Sequence, residues 1–146
     1  MAKNPLHYQL TEYDCGPTAM LDAISYLFQR EEIPPEIIRN VMLYCLDCYS
    51  TEGTPGKSGT SHMAMMFLSN WLKQFSRVGQ LPVTSEYIAE NQVHLGKGGR
   101  LDDILTRGGA AVVRLWLDEW HYVMLSGLRD GMVYMFDPYF RDTPYE

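Results

Sequence analysis

The sequence predicts an α+β domain, helices first and an antiparallel sheet second, on three observations. Apolar residues recur at helical spacing behind Pro17 and behind Pro34-Pro35. Three strand-like runs occupy the region after Gly109. Leu128-Arg129-Asp130-Gly131, between the last two runs, is a hairpin signal. Helices followed by antiparallel strands in one chain belong to the α+β class. At 146 residues, with 46% apolar and 21% charged side chains, the chain is long and apolar enough for one domain with its own core, residues 1-146.

Pro17 suits the first turn of a helix, where its missing N–H costs nothing. Met20, Ala23, Ile24 and Leu27 then give that helix its apolar stripe. Pro34-Pro35 opens a second helix, with Ile37, Ile38, Val41, Met42 and Cys45 expected on its buried side. Ser50 to Ser61, rich in Gly, Ser and Thr, reads as an exposed loop. A third helix is predicted from about His62 to Phe75, with Met63, Phe67, Trp71 and Phe75 on one stripe and the Met-rich run forming a core face. Between Gly79 and Gly99 the pattern is weak, with a short helix expected around Tyr87 and Ile88. Leu101, Ile104 and Leu105 predict a brief helix that Arg107-Gly108-Gly109 ends. Asp102 and Asp103 are well placed for its dipole. The strands are expected over Ala110 to Leu117, Trp120 to Ser126 and Met132 to Asp137.

Composition removes several function classes. The net charge is −6 and no run of Lys or Arg stands out, which argues against nucleic acid or an anionic membrane as partner. No apolar run approaches bilayer length. The opening Met1-Ala-Lys-Asn-Pro lacks the apolar core of a secretory signal, and three cysteines make no disulfide framework. A reducing, cytoplasmic setting is the expectation.

Cys15 stands directly before the first helix, where unpaired N–H groups and the positive dipole end stabilise a thiolate, the nucleophilic form. A free cysteine titrates near pH 8.5, about 1.5 units above neutrality, so such help matters. His121 is the best base, at the start of a strand rather than in a polar loop. Asp137 closes the next strand before Pro138 and can hold the imidazole. Strand parity tests that pairing. With a two-residue turn at Asp130-Gly131, Asp137 falls opposite Met124 and His121 points to the other face. A three-residue loop, Arg129-Asp130-Gly131 with the glycine left-handed, instead puts Asp137 opposite Val123, with His121 as its diagonal neighbour on the same face, so the pairing needs an odd-length loop or a bulge. The Cys-His-Asp reading therefore demands that irregularity. Gln9, six residues before Cys15, can donate to a developing oxyanion together with the Cys15 backbone N–H.

These residues resemble a known family. Gln9-Leu-Thr-Glu-Tyr-Asp-Cys-Gly-Pro-Thr-Ala-Met, then Trp120-His-Tyr-Val-Met-Leu-Ser-Gly, then Phe136-Asp-Pro-Tyr, are similar to the C39 and C39-like cysteine peptidases. The likeness covers roughly the first and last thirty residues. It implies a papain-like fold, with the cysteine on a helical lobe and the histidine and aspartate on a sheet. It also implies Gln9 in the oxyanion hole, Cys15 as nucleophile, His121 as general base and then acid, and Asp137 as its orienter. The implied partner is a peptide or protein substrate, with no metal or organic cofactor. Without a transporter segment, and with Cys-Gly-Pro-Thr, the chain looks more like the stand-alone branch, so double-glycine specificity does not carry over. An acyl-enzyme on Cys15 leads to hydrolysis or, with another acceptor, to acyl transfer; an inactive binding module on the same frame is the third alternative.

Other motifs carry less. Cys45 and Cys48 form a Cys-x-x-Cys without the two further ligands zinc needs, and both read as structural. Gly56-Lys57-Ser58 is no phosphate loop, because position 51 is Thr and a helix precedes it. Trp116 and Trp120 are expected to cover the sheet, with Trp120 shielding the catalytic pair from water. Trp120 and Tyr139, flanking His121 and Asp137, are the candidate substrate contacts.

Overall fold

The computed structural model describes residues 6–30, 32–79 and 81–139. Within them lie helices α1 (Cys15–Phe28), α2 (Pro35–Cys45), α3 (His62–Val78) and α4 (Arg100–Thr106), then strands β1 (Ala111–Trp116), β2 (Trp120–Arg129) and β3 (Met132–Phe136). The strands form one antiparallel sheet in the order β1-β2-β3, so the class is α+β.

Each helix starts and stops for a local reason. Helix α1 ends where Gln29 turns left-handed (φ 47°) and gives its N–H to the Ser25 carbonyl. Pro35 occupies the first turn of α2. Ser61 caps α3 by accepting the Ala64 N–H at 3.0 Å, and Asp47 holds Ser61 through its N–H and hydroxyl, at 3.0 and 2.5 Å. Burial would raise the Asp47 pKa, but the Ser61 hydrogen bonds win and hold it below the usual value.

The core has two parts. Helices α1, α2 and α3 close around Ala19, Ile24, Ile37, Val41, Leu68 and Leu72, joined by Leu81 and Val83 from the following coil and by Tyr122 from β2. Helix α4 packs Leu101 and Leu105 on Val113, Val123 and Leu125 of the sheet.

Three expectations change. Ile38, Met63 and Phe67 are 41%, 56% and 45% exposed. The buried stripe of α3 is instead Ala64, Met65, Leu68, Ser69 and Leu72. Periodicity shows which residues share a face, but the surface that arrives against the helix decides how wide the covered stripe is. Phe67 packs at a tilt against Tyr44 of α2, with centroids 4.7 Å apart. No helix forms around Tyr87 and Ile88; a 3₁₀ turn follows at Glu90–Gln92. The Ser85 hydroxyl bonds the Ser69 carbonyl at 2.7 Å, and Val83 is buried, so this segment lies along α3 without a helical pattern of its own. Trp116 and Trp120 do not cover the sheet: they are 62% and 56% exposed and meet edge to face at 5.3 Å.

Candidate active site

The sheet brings His121 and Asp137 together by the irregularity that parity demanded. The turn is the two-residue one: Arg129 pairs Met132, and Asp130 and Gly131 both have positive φ, 53° and 76°. The correction comes further along β2, where the register slips between Leu125 and Gly127 and leaves Ser126 as an extra residue. Beyond the bulge Met124 pairs Phe136, so Asp137 continues opposite Val123, on the face of His121. Tyr26 of α1 donates its hydroxyl to the Ser126 carbonyl at 2.8 Å, tying the bulge to the helix that carries Cys15.

His121 Nε2 lies 2.6 Å from Asp137 Oδ1, with side-chain exposures of only 10% and 9%. The Tyr139 N–H donates to the same carboxylate oxygen at 2.9 Å and fixes it. Cys15 is the first residue of α1, and its side chain is also hydrogen-bonded to the imidazole. With Nε2 taken by Asp137, Nδ1 is the ring nitrogen left for the sulfur. The Cys15 hydrogen bond is the largest influence on His121. Burial opposes it, Asp137 adds to it, and the pKa rises from 6.5 to about 9. The imidazolium is therefore the resting form at neutral pH, which is the form that pairs with a thiolate.

Gly16 lets Cys15 sit where it does. A Cβ at that position would collide with the Thr60 side chain, whose hydroxyl in turn bonds the Cys45 carbonyl. Cys45 is fully buried and burial pushes its thiol up to about 12, while Cys48 is half-buried on the far side of the helix end. All three cysteines are free. Among the described residues, no group of three or more His, Cys, Asp or Glu side chains is placed to hold a metal ion.

Gln9 approaches from the N-terminal coil. Its backbone N–H bonds the Pro138 carbonyl at 2.8 Å, directly beside Asp137. Its side-chain Nε2 donates to the Thr11 carbonyl at 2.7 Å, leaving a second amide hydrogen, while Oε1 is buried with no hydrogen-bond partner among the described residues. Asp14 shapes the loop between Gln9 and Cys15. Its carboxylate accepts the Leu10 N–H at 3.0 Å and the Thr11 N–H and hydroxyl, each at 2.7 Å. Burial would raise its pKa, but these donors hold it below the usual value.

Sequence reasoning passed over Asp14, Asp22, Thr60 and Ser126. Asp22 left a readable sign, a carboxylate on the apolar face of α1 in register with Cys15 and Ala19. The bulge at Ser126 left only the neighbouring glycine. Trp120 alternates to the strand face opposite His121, where the Arg114 guanidinium lies 4.6 Å from its ring centroid, so it does not shield the imidazole. Tyr139 is 43% exposed beside Asp137. The chain beyond residue 139, part of the C-terminal block of the family likeness, lies outside the described residues.

No protein-family model matches the chain, and no curated protein and no solved structure matches it. No helix among the described residues is long and apolar enough to cross a membrane.

Proposed function

We propose that this protein is a cysteine peptidase of papain-like, C39-like type that hydrolyses a peptide or peptide-like amide through an acyl-enzyme on Cys15. One observation carries the reading: His121 is held between Asp137 at 2.6 Å and the Cys15 side chain at a helix start, with its pKa raised to about 9. A helix-borne cysteine facing a sheet-borne histidine and aspartate is also the arrangement that the family likeness implies.

The chemistry follows from the geometry. The Cys15 sulfur attacks the carbonyl carbon, a C–S bond forms, and the carbonyl electron pair moves onto oxygen. The free Gln9 amide hydrogen and the Cys15 backbone N–H donate to that oxyanion. As the oxyanion collapses the C–N bond breaks, and the His121 imidazolium gives its proton to the leaving amine. Neutral His121 then takes a proton from water, which attacks the thioester. The acid leaves, and the thiolate and imidazolium are restored. Asp137 keeps the ring oriented throughout and stabilises it whenever it carries the proton. Tyr139, exposed beside Asp137, and Trp120, exposed on the opposite strand face, are the candidate substrate contacts. A nucleophilic thiol with two further free cysteines belongs in a reducing compartment.

The decisive test is the pH dependence of iodoacetamide alkylation at Cys15, Cys45 and Cys48, resolved by mass spectrometry, in the wild type and His121→Ala. Cys15 should react much faster than the other two well below pH 8.5, the ordinary cysteine value, and lose that advantage in the variant. Equal, slow reaction at all three, or indifference to His121, would sink the reading.

A further inference from the structure

Asp22 is the buried charged side chain that the mechanism leaves unused. It lies on the nucleophile helix and is fully buried. One carboxyl oxygen accepts the His7 backbone N–H at 2.8 Å, and the other has no hydrogen-bond partner among the described residues. A carboxyl in that state is an expensive way to fill a helix face, since an apolar residue of similar size would be buried without the desolvation cost. Among the described residues its work is on the segment that carries Gln9.

That segment is a strap between the two halves of the site. His7 is tied to Asp22 on α1, Tyr8 packs on Phe136 of β3 with ring centroids 5.4 Å apart, and the Gln9 N–H is tied to Pro138. Asp22 stands seven residues after Cys15, about 10 Å along the helix at 1.5 Å per residue. Two extended residues from His7 to Gln9 cover about 7 Å of that distance. The strap therefore starts deep on the helix and delivers Gln9 beside Asp137, whose carboxylate holds His121. Residues 6–9 have no helix or strand of their own to hold them. Without the Asp22 acceptor, the His7 end of the strap loses its tie to α1.

We infer that Asp22 is a positioning residue for the oxyanion arm, holding residues 7–9 to the nucleophile helix so that the Gln9 amide meets the carbonyl under attack at Cys15. This rests on the peptidase reading above. The role separates from the ion pair: alkylation of the thiolate needs His121 but no oxyanion donor, whereas acylation needs both.

The experiment uses Asp22→Leu, Asp22→Asn, Gln9→Ala and the Asp22→Leu/Gln9→Ala double variant. The readouts are acylation of Cys15 by p-nitrophenyl acetate, alkylation by iodoacetamide, and amide hydrogen exchange of residues 6–10. Removing an oxyanion donor outright costs about 100-fold or more, and a displaced one should cost about tenfold. Asp22→Leu should lose exchange protection at His7 and acylate about tenfold more slowly, with alkylation unchanged. The double variant should be no slower than Gln9→Ala, and Asp22→Asn, which keeps the acceptor oxygen, should restore both protection and rate. Retained His7 protection in Asp22→Leu, fully additive losses, or alkylation falling in step with acylation would each overturn the inference. A wild-type Cys15 that p-nitrophenyl acetate never acylates would instead overturn the peptidase reading, and the positioning role with it.

Discussion

The proposed base arm, His121 with Asp137, and the proposed oxyanion arm, Gln9, are built by opposite means. His121 and Asp137 stand on adjacent strands whose ladder and bulge leave them little freedom. Gln9 stands on a coil held by side chains, with Asp22 at one end, Asp14 at the other and one backbone bond to Pro138 between them. Backbone ladders are insensitive to side-chain identity but intolerant of changes in residue count. A side-chain tether tolerates changes in length poorly or well according to its slack, but fails as soon as its acceptor is removed. The base arm should therefore break on insertion and deletion, and the oxyanion arm on single carboxylates.

The sharpest way to break this contrast is to delete Ser126. The two-residue turn would then put Asp137 on the face away from His121, and peptidase activity should fall by about 10³-fold or more, as for a triad that loses its orienting carboxylate. Substituting Ser126 by Ala keeps the count and the carbonyl that Tyr26 holds, so its activity should stay near wild type. A deletion as active as the substitution would show that the bulge does not set the site.

Asp137→Asn sharpens the same arm. The His121 imidazolium persists to about pH 9, so proton delivery to the leaving amine should decline above that value. The stability that the charged ring adds runs the same way, present in full below its unfolded value of 6.5 and lost as pH rises through about 9. Without the Asp137 charge the alkaline limb of kcat should move toward neutrality. An unmoved limb would assign the raised value to Cys15 alone.

On the coil arm, Asp14→Ala should leave the Leu10 and Thr11 N–H groups without their acceptor and destabilise the protein by about 2–3 kcal/mol in urea titrations. The wild-type contribution is lost as pH falls through the lowered Asp14 pKa, so the gap between the two proteins should close in acid. A constant gap would mean that the charge of Asp14 plays no part.

The smallest effect expected is at Asp22, with the opposite sign. Burial raises its pKa from 3.8 to about 6, only partly offset by the His7 N–H and by the charge of His7. Its contribution to stability is therefore full below pH 3.8 and lost as pH rises through 6. Asp22→Asn should flatten that part of the stability curve and gain on the order of 2 kcal/mol over wild type at pH 7. Identical curves would show that the carboxyl is solvated in solution.

The helices, the three strands and the hairpin turn were legible because each is announced locally, by Pro17 and Pro35 at helix starts, Asp130-Gly131 at the turn and a strand-like run along β2. The ordered Cys15, His121 and Asp137 were legible as a candidate site, and parity stated the condition for His121 and Asp137 to meet. The sequence did not reveal which solution met it. A bulge at Ser126 and a three-residue loop satisfy the same parity, and the choice rests on contacts such as Tyr26 to Ser126, which are 100 residues apart. The exposure of Met63 and Phe67, the tie from His7 to Asp22 and the fit of Gly16 against Thr60 are of the same kind. Local sequence determined where helices and strands begin and which side chains share a face, because backbone geometry sets those periods residue by residue. Tertiary structure alone decided what each face meets, because that depends on segments far apart in the chain closing on one another.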